Sequence, residues 1–449
     1  MSLYQTIITK ANSIFWGTPA LVFLSLVGLF LAFRVHFLPF RHLGMVFRKT
    51  LGSLGKSSGG TGTVSQFGAM CSSLAATVGM GNIVGVASAV CLGGPGAVFW
   101  MIIAAFLGAT MKYFEVALTI LYREKNDSGE YYGGPSLYIA KGLKLPWLGT
   151  IMTILLAIAC LCGDMIQSNT FLTNFNSFIP GQDTNSVLQA VIFALIIAVV
   201  IMGGIKSLSK VSEVLVPIMS ITYLVGGLVV LVLNAQQIPH AIVQIFQGAF
   251  TPVAVSGGAV GYGFSVATRY GLARGFFSNG GGGGMYAVTH AAAKVDNPID
   301  QAVWAIVEIF LDCSICLISA LTVVSSGVAL DNNSAATLVS KAFGMSYAPL
   351  EYVVSFSLLL FTFTTVAGFC YMGEAQLGSL VKSRYVKLYR VLFVILCFVG
   401  CISDLTRLWD FCDALSGVIM FINLPVLVIL SSKVTGMTKA FFCGKNDGT

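Results

Sequence analysis

Four residues, Gly79-Met80-Gly81-Asn82, interrupt the apolar stretch SSLAATVGMGNIVGVASAVCLGGPGAVFW, and five consecutive glycines, Gly280 to Gly284, interrupt another. Glycine inside a helix costs about 1 kcal/mol relative to alanine, so two close glycines beside an asparagine read as a local unwinding. An unwound helix offers free N–H groups to an anion such as a carboxylate, and free carbonyls to a cation. Glycines also permit close packing of membrane helices, and that reading stays open for Gly79 and Gly81 taken alone. It fits the run 280–284 poorly, because packing motifs space glycines by four. A plain loop is the other alternative there, but the stretch between Arg274 and Lys294 is long and apolar for a loop.

Other polar residues stand inside apolar runs, where charges are expensive and often functional. Asp164 and Gln167 lie one turn apart on one helical face, so both can meet the amino group of a small ligand. Asn169 lies roughly opposite Gln167, which leaves one of the two to cap or bridge helices. Glu308 and Asp312 share a face at i, i+4, and with Glu213 they are expected to form buried ion pairs with Arg269 or Arg274. Glu374, and Glu115 with Lys112, are expected at the membrane interface. His290, after the second break, reads as a packing or hydrogen-bonding residue. Cys313 and Cys316 form a C-x-x-C in mid-span and read as packing residues rather than a metal or redox site.

The elements that hold these residues are membrane spans. Of 449 residues, 56% are hydrophobic and 10% are charged, against about 25% charged in soluble domains. Apolar runs near twenty residues, the length that crosses roughly 30 Å of hydrocarbon, recur throughout. Such spans must be helices; the weak alternation of transmembrane strands is absent. Hydropathy predicts eleven spans: 14–33, 65–93, 96–122, 148–175, 186–203, 212–233, 243–292 (interrupted), 298–327, 347–379, 384–402 and 408–431. The start reads as a retained span rather than a signal peptide, with Lys10 alone as its basic region and no small-residue cleavage site following.

Alternate loops differ in basic residues. One set holds Arg34, Arg41, Arg48, Lys49, Lys56, Arg123, Lys125, Lys141, Lys144, Lys206, Lys210, Lys294, Lys382, Arg384, Lys387 and Arg390, then Lys433, Lys439 and Lys445. The other holds little beyond Lys10, Lys341 and Arg407. The positive-inside rule puts the first set and the C-terminus in the cytoplasm and the N-terminus outside a plasma (inner) membrane. The formal charge of +7 therefore points to no nucleic-acid partner.

The breaks fall in spans two and seven, five spans apart. Without span one, the chain divides into two five-helix halves, each opening with a broken helix, and an odd repeat unit inverts one half against the other. That pattern points to a secondary transporter whose sites lie at the breaks near the midplane. The expected fold is an all-α polytopic membrane protein of about eleven transmembrane helices, an inverted five-plus-five core preceded by one extra helix. Its regions are 1–63 (extra helix and basic loop), 64–240 (first repeat), 241–432 (second repeat) and 433–449 (cytoplasmic tail). No G-x-x-x-x-G-K-[ST] motif occurs, and Gly59-Gly60-Thr61-Gly62 lacks the lysine; no ATPase subunit is expected, and an ion gradient supplies the energy. Neither H-E-x-x-H nor a serine elbow supports an intramembrane enzyme, and no repeated filter motif supports a channel.

The residues resemble the sodium:alanine/glycine symporters (the alanine or glycine:cation symporter family). SQFGAMCSSLAATVGMGNIVGVASAVCLGGPGAVFWM looks like that family's first core helix. GDMIQSNTF at 163–171, GLARGFFSN at 271–279 with HAAAKVDNPIDQ after it, and LFTFTTVAGFCYMGE at 360–374 look like later blocks, and the resemblance covers about 15–432. It implies a leucine-transporter-like fold and sodium-coupled uptake of alanine or glycine, with sodium as the coupling ion and lipid and the amino acid as the partners. It further implies an unwound segment at Thr77–Asn82, in which Gly79, Met80, Gly81 and Asn82 surround the substrate and the amides of Met80 and Gly81 bind its carboxylate. Sodium would be held by the carbonyls of Ala75 and Val78 and the hydroxyls of Thr364 and Thr365, oxygen ligands that suit a hard cation. Back-bonding of those hydroxyls within their own helix is the alternative. Three positions depart from the pattern: Met80 replaces a threonine, Gly280 replaces an acidic residue after Asn279, and Phe369 replaces a tryptophan. They imply a binding site of altered size. A proton-coupled carrier of another small zwitterion, with Asp164 as the titrating group, is the second functional expectation.

Overall fold

The computed structural model describes residues 3–54, 59–126, 129–178, 186–250, 262–328, 335–381 and 383–443. At the N-terminus α1 (Leu3–Phe15) meets α2 (Thr18–Arg34) with a bend of 40°. Two short helices, α3 (Leu38–Arg41) and α4 (Leu43–Lys49), carry the first basic loop. The first broken helix follows. Its first half, α5 (Gln66–Thr77), is capped by Ser65, whose Oγ accepts the Gly68 N–H at 2.8 Å. After Val78 and Gly79 comes a single 3₁₀ turn, Met80–Asn82, then α6 (Val84–Gly93), and the whole is bent by 65°. The first half continues with α7 (Ala97–Tyr122), a two-strand ribbon of β1 (Glu124–Lys125) antiparallel to β2 (Tyr131–Tyr132), and α8 (Pro135–Leu137). It closes with α9 (Pro146–Phe178), α10 (Ser186–Ile201) and α11 (Gly204–Leu233).

The second half comprises α12 (Ile238–Phe250), α13 (Tyr262–Asn279), the glycine run, α14 (Ala287–His290) and α15 (Pro298–Ser325). Then come α16 (Ala335–Ser346), α17 (Leu350–Leu377), α18 (Ser383–Ile402) and α19 (Thr406–Cys443). Each set of five, α5/α6 with α7, α9, α10 and α11, and α13/α14 with α15, α17, α18 and α19, opens on a broken helix. This is the inverted five-plus-five architecture. Lipid-facing surfaces are apolar, as on α10 (Ile192, Leu195, Val199) and α11 (Ile221, Val225, Val232). Interior contacts use small residues: an added Cβ at Gly163 would press on the Phe369 ring, and one at Gly368 on Ala76. Such contacts bring α9, α17 and α5 together closely.

Three details differ from the hydropathy reading. Among the described residues seven helices are long and apolar enough to cross a membrane, and two bent pairs bring the number to nine. The eleven expected spans also include α10, of 16 residues, and the glycine-broken α13. The seventh span does not run from 243. Its first part is the separate helix α12, whose Ala241, Ile245 and Ala249 form one buried stripe, the mark of an amphipathic helix. Phe246 and Phe250 of α12 pack against Phe99 of α7 at steep ring angles, with ring centroids 5.7 and 4.8 Å away. Finally, residues 433–443 continue α19 as a packed helix rather than a tail. Thr438 Oγ1 lies 2.9 Å from Tyr113 Oη, and Lys49 Nζ sits 3.6 Å above the Phe441 ring.

One clamp joins the two broken helices on the basic face. Lys294 N donates to Val64 O at 2.8 Å, just before α5. The Arg123 guanidinium donates to the carbonyls of Ala291 (2.9 Å), Ala293 (2.6 Å), Val295 (2.5 Å) and Thr61 (2.7 Å). Charged donors to carbonyls contribute about 1.5–3 kcal/mol each. Arg123→Ala is therefore expected to lower the thermal unfolding midpoint in detergent, while the exposed Lys210→Ala leaves it unchanged.

Candidate functional site

The site begins where α5 stops. In an uninterrupted helix the carbonyls of Ala75 and Val78 would accept from the N–H groups of Gly79 and Asn82. Here Gly79 N–H turns to the Asn82 side chain, donating to Oδ1 at 3.2 Å, and Asn82 N–H goes to Gly79 O at 3.3 Å. Both carbonyls are thereby released, and both face α17. Thr365 Oγ1 lies 3.0 Å from Ala75 O and 3.1 Å from Val78 O, and Thr364 Oγ1 lies 3.3 Å from Ala75 O. All four residues are buried.

The helical back-bonding alternative is present as well. Thr365 Oγ1 is 2.8 Å from Phe361 O, and Thr364 Oγ1 is 3.0 Å from Leu360 O. A hydroxyl has one proton and two lone pairs. When each proton serves α17, the remaining lone pairs meet the two carbonyls of α5 with no hydrogen between them. Four converging oxygens of this kind fit a small hard cation.

The substrate-side residues divide. An added Cβ on Gly79 would sit 3.0 Å from both Gln167 Nε2 and Thr365 Oγ1, so α9, α17 and the break meet at that glycine. Gln167 Oε1 is buried and has no hydrogen-bond partner. The Met80 sulfur accepts from Thr170 Oγ1 of α9 at 3.1 Å. Gly81 faces Ser278 and the Phe277 ring of α13. Asn82 is fixed on its other side by Asp312, with Nδ2 2.6 Å from Oδ1. Phe369 lies beside Gly163, its ring 6.4 Å from that of Tyr286. Gly280 has φ +63°, and a Cβ there would enter the Tyr286 ring.

Asn279 and Asp164 are directed elsewhere. Asn279 Nδ2 donates to Ala104 O at 3.1 Å, and its Oδ1 accepts the Gly281 N–H at 2.8 Å, so it ties the glycine run to α7. Asp164 does not join Gln167. Its Oδ1 accepts from Ser168 Oγ at 3.2 Å, Ser168 Oγ lies 3.2 Å from Cys397 Sγ of α18, and Asp164 Oδ2 has no partner. Residues three apart differ by about 60° around a helix, enough for the two side chains to face different neighbours. Asn169 is the helix bridge, donating to Gly400 O and Ser403 O at 3.2 and 2.9 Å.

Comparisons with known proteins show the family and the fold. A model of the sodium:alanine symporter family matches residues 1–449. This chain belongs to that family. It is 38% identical over 448 residues to an uncharacterized transporter of Haemophilus influenzae, covering 98% of this chain and 96% of that one. It is 35% identical to the sodium/alanine symporter AgcS of Methanococcus maripaludis, covering 98% and 97%. In fold it is similar to the crystal structure of MhsT in complex with L-phenylalanine, with a TM-score of 0.60 and 13% identity over 86% of this chain and 96% of that one. The chain is a multi-pass membrane transporter and not an enzyme.

The buried charges of this transporter are paired differently from the sequence expectation. Glu308 takes neither Arg269 nor Arg274. Its Oε1 lies 2.6 Å from Lys112 Nζ, 2.7 Å from Ser73 Oγ and 3.1 Å from Thr77 Oγ1, and its Oε2 lies 3.0 Å from His290 Nε2. Gln301 Nε2 in turn sits 2.8 Å from His290 Nδ1. One carboxylate thus joins α5, α7, α14 and α15. Lys112 and Glu115 are buried rather than interfacial, because they stand deep within the 26-residue helix α7. That depth was the available signal. Glu115 Oε1 accepts from Gly282 N–H at 2.9 Å and Asn423 Nδ2 at 3.0 Å, so an acid from α7 serves the glycine run. Glu213 accepts from Ser65 Oγ at 2.8 Å rather than from an arginine. Arg274 stands 3.9 Å from Asp413, and Glu374 pairs with Arg390. All eleven cysteines, Cys313 and Cys316 included, are free thiols.

Removing one partner of a buried pair costs about 3–5 kcal/mol, whereas replacing both by apolar residues is often neutral. Lys112→Met should therefore sharply reduce the yield of folded protein in detergent, and Lys112→Met with Glu308→Leu should restore much of it, as read by size-exclusion chromatography and thermal unfolding.

Proposed function

We propose that this transporter takes up a small neutral amino acid, alanine or glycine, together with sodium by alternating access. The observation that carries the reading is the set of four oxygens from Ala75, Val78, Thr364 and Thr365, brought together by the break in α5. Sodium is one of the two transported solutes. It would enter at the C-terminal end of α5, the negative end of that half-helix.

The substrate carboxylate would lie just beyond, at the amides of Met80 and Gly81, where the short turn before α6 presents N–H groups. Val78 and Gly79 link the two positions, so each ligand stabilises the backbone that the other needs. Such coupling is reciprocal by thermodynamic necessity. Gln167, with its free Oε1, is placed to accept from the substrate amino group. Phe369 and Tyr286 bound the space and favour a small side chain. The sodium/alanine symporter named among the relatives supports the same substrate class. The loops rich in Lys and Arg would face the cytoplasm and the N-terminus the outside of the inner membrane.

Proton coupling through Asp164 is the second reading, and the unpartnered Oδ2 of that buried acid favours it. Its bonded neighbour Ser168 faces α18 rather than the break, so sodium is the better supported ion.

Counterflow in proteoliposomes with labelled alanine, glycine and serine, with and without sodium, tests the reading. Sodium is expected to be required, and Thr364→Ala with Thr365→Ala is expected to raise the half-saturating sodium concentration at least ~10-fold, within the usual range of site coupling. Uptake indifferent to sodium at a fixed membrane potential contradicts the proposal. A pH-gradient dependence abolished by Asp164→Asn would favour the second reading.

A further inference from the structure

Arg390 stands where two hollows on the basic face of the molecule meet. One is an apolar groove of about 580 Å³ between the ends of α10 and α18, walled by Ala198, Ile201, Val394 and Ile395. Met202, Val391 and Ile395 on its rim are exposed, so the groove opens toward the bilayer. The other is a polar cavity of about 1020 Å³ beside the β1–β2 ribbon, bounded by Lys125, Glu130, Tyr131, Glu374 and Lys387. Arg390 lines both. An apolar trough that leads into a polar, basic hollow has the shape of an amphiphile, with room for a chain at one end and a head group at the other.

Charge selects the head group. Lys206 Nζ lies 3.5 Å from Glu130, and Arg390 Nε donates to Glu374 Oε2 at 2.7 Å, so each acid of the cavity is already matched. Lys125 and Lys387 are left over: Lys125 Nζ stands 5.1 Å from the centre of the Tyr131 ring, and among the described residues no carboxylate pairs with either lysine. Four cations thus face two acids, an excess of two positive charges that a phosphate can take up. Arg390 also keeps donors in reserve. Its Nη2 reaches Glu374 as well and its Nη1 leans on Met202 O at 3.4 Å, which leaves two of the five N–H groups without a partner among the described residues. A Cβ on Gly204 would come 3.8 Å from Arg390 Nη2, so the N-terminal end of the 30-residue helix α11 adds its partial positive charge here. A zwitterionic head group would bring a second cation into this field; an anionic one brings the phosphate alone.

We propose that the two hollows together bind one anionic phospholipid, with an acyl chain in the α10/α18 groove and the phosphate between Arg390 and Lys387. Basic pockets between membrane helices are where acidic lipid head groups bind, and tyrosines such as Tyr131 and Tyr132 favour the head-group level. The lipid would brace three helices, because Ile201 belongs to α10, Arg390 to α18 and its partner Glu374 to α17, the helix of Thr364 and Thr365. The proposal goes beyond the transport reading and does not depend on which solute is carried.

Native mass spectrometry of the purified wild-type chain, titrated with phosphatidylglycerol or with phosphatidylcholine of the same acyl chains, tests it. One phosphatidylglycerol per chain is expected to be held about 20-fold more tightly than phosphatidylcholine, since each basic side chain at the surface is worth about fivefold and two are in excess. Lys387→Gln should lower that preference about fivefold, and Lys387→Arg should keep it. Ala198→Phe, which fills the groove and leaves every charge in place, should release the retained lipid. Lys439→Gln, at an exposed lysine near the end of α19, should change nothing. Equal retention of the two lipids by the wild-type chain overturns the site and decides the matter even if a variant fails to fold. An equal loss in Lys439→Gln also overturns it, because a diffuse surface field would then explain the preference. Displacement of phosphatidylglycerol by millimolar inorganic phosphate, with Ala198→Phe silent, would assign the cavity to a free anion and overturn the lipid. Binding is read without sodium or amino acid, so a failure here leaves the transport reading standing.

Discussion

A backbone group in a bilayer has no water to turn to, so a helix can break in mid-membrane only where other atoms replace its lost hydrogen bonds. The break after Thr77 meets that constraint from several directions. The Asn82 side chain takes the Gly79 N–H, and the Thr364 and Thr365 hydroxyls stand against the carbonyls of Ala75 and Val78. Neighbouring helices are arranged to supply these atoms. α17 can come this close because Gly368 sits on Ala76, and α9 because Gly79 leaves room for Gln167.

The charged residues extend the same logic one layer outward. Glu308 collects a lysine, a histidine and two hydroxyls from three other helices, so the half-helices α5 and α14 are held in one group with α7 and α15. Glu115 does for the glycine run what Asn82 does for the first break, taking a backbone N–H that no helix claims. The two breaks therefore differ in kind. At the first, the carbonyls of Ala75 and Val78 meet hydroxyls of α17, whereas at the second the N–H groups of Gly281 and Gly282 are taken by Asn279 and Glu115.

Much of this was legible in the sequence. The glycines and the asparagine at 79–82 marked an unwound segment because residue type alone disfavours a helix there, and the five-span separation of the breaks gave the inverted halves. The partners of the breaks were harder to see. Thr364 and Thr365 looked equally suited to bonding within their own helix, and both kinds of contact are present. The i, i+4 spacing of Glu308 and Asp312 put both on one face, but which cation met that face depended on the packing of α7. Asn279 has the side chain of a ligand, yet Gly281 and Ala104 occupy it. At α12, hydropathy merged an amphipathic helix with the span after it; at the C-terminus, three basic residues suggested a tail where the apolar face of α19 continues.

The proposed mechanism turns on coupling between the two ligands across Val78 and Gly79, and linkage gives such coupling a strict form. Calorimetric titration of alanine into purified protein with and without sodium, and of sodium with and without alanine, measures it. The account requires sodium to tighten alanine binding and alanine to tighten sodium binding by the same factor. An alanine affinity that does not change with sodium would contradict it.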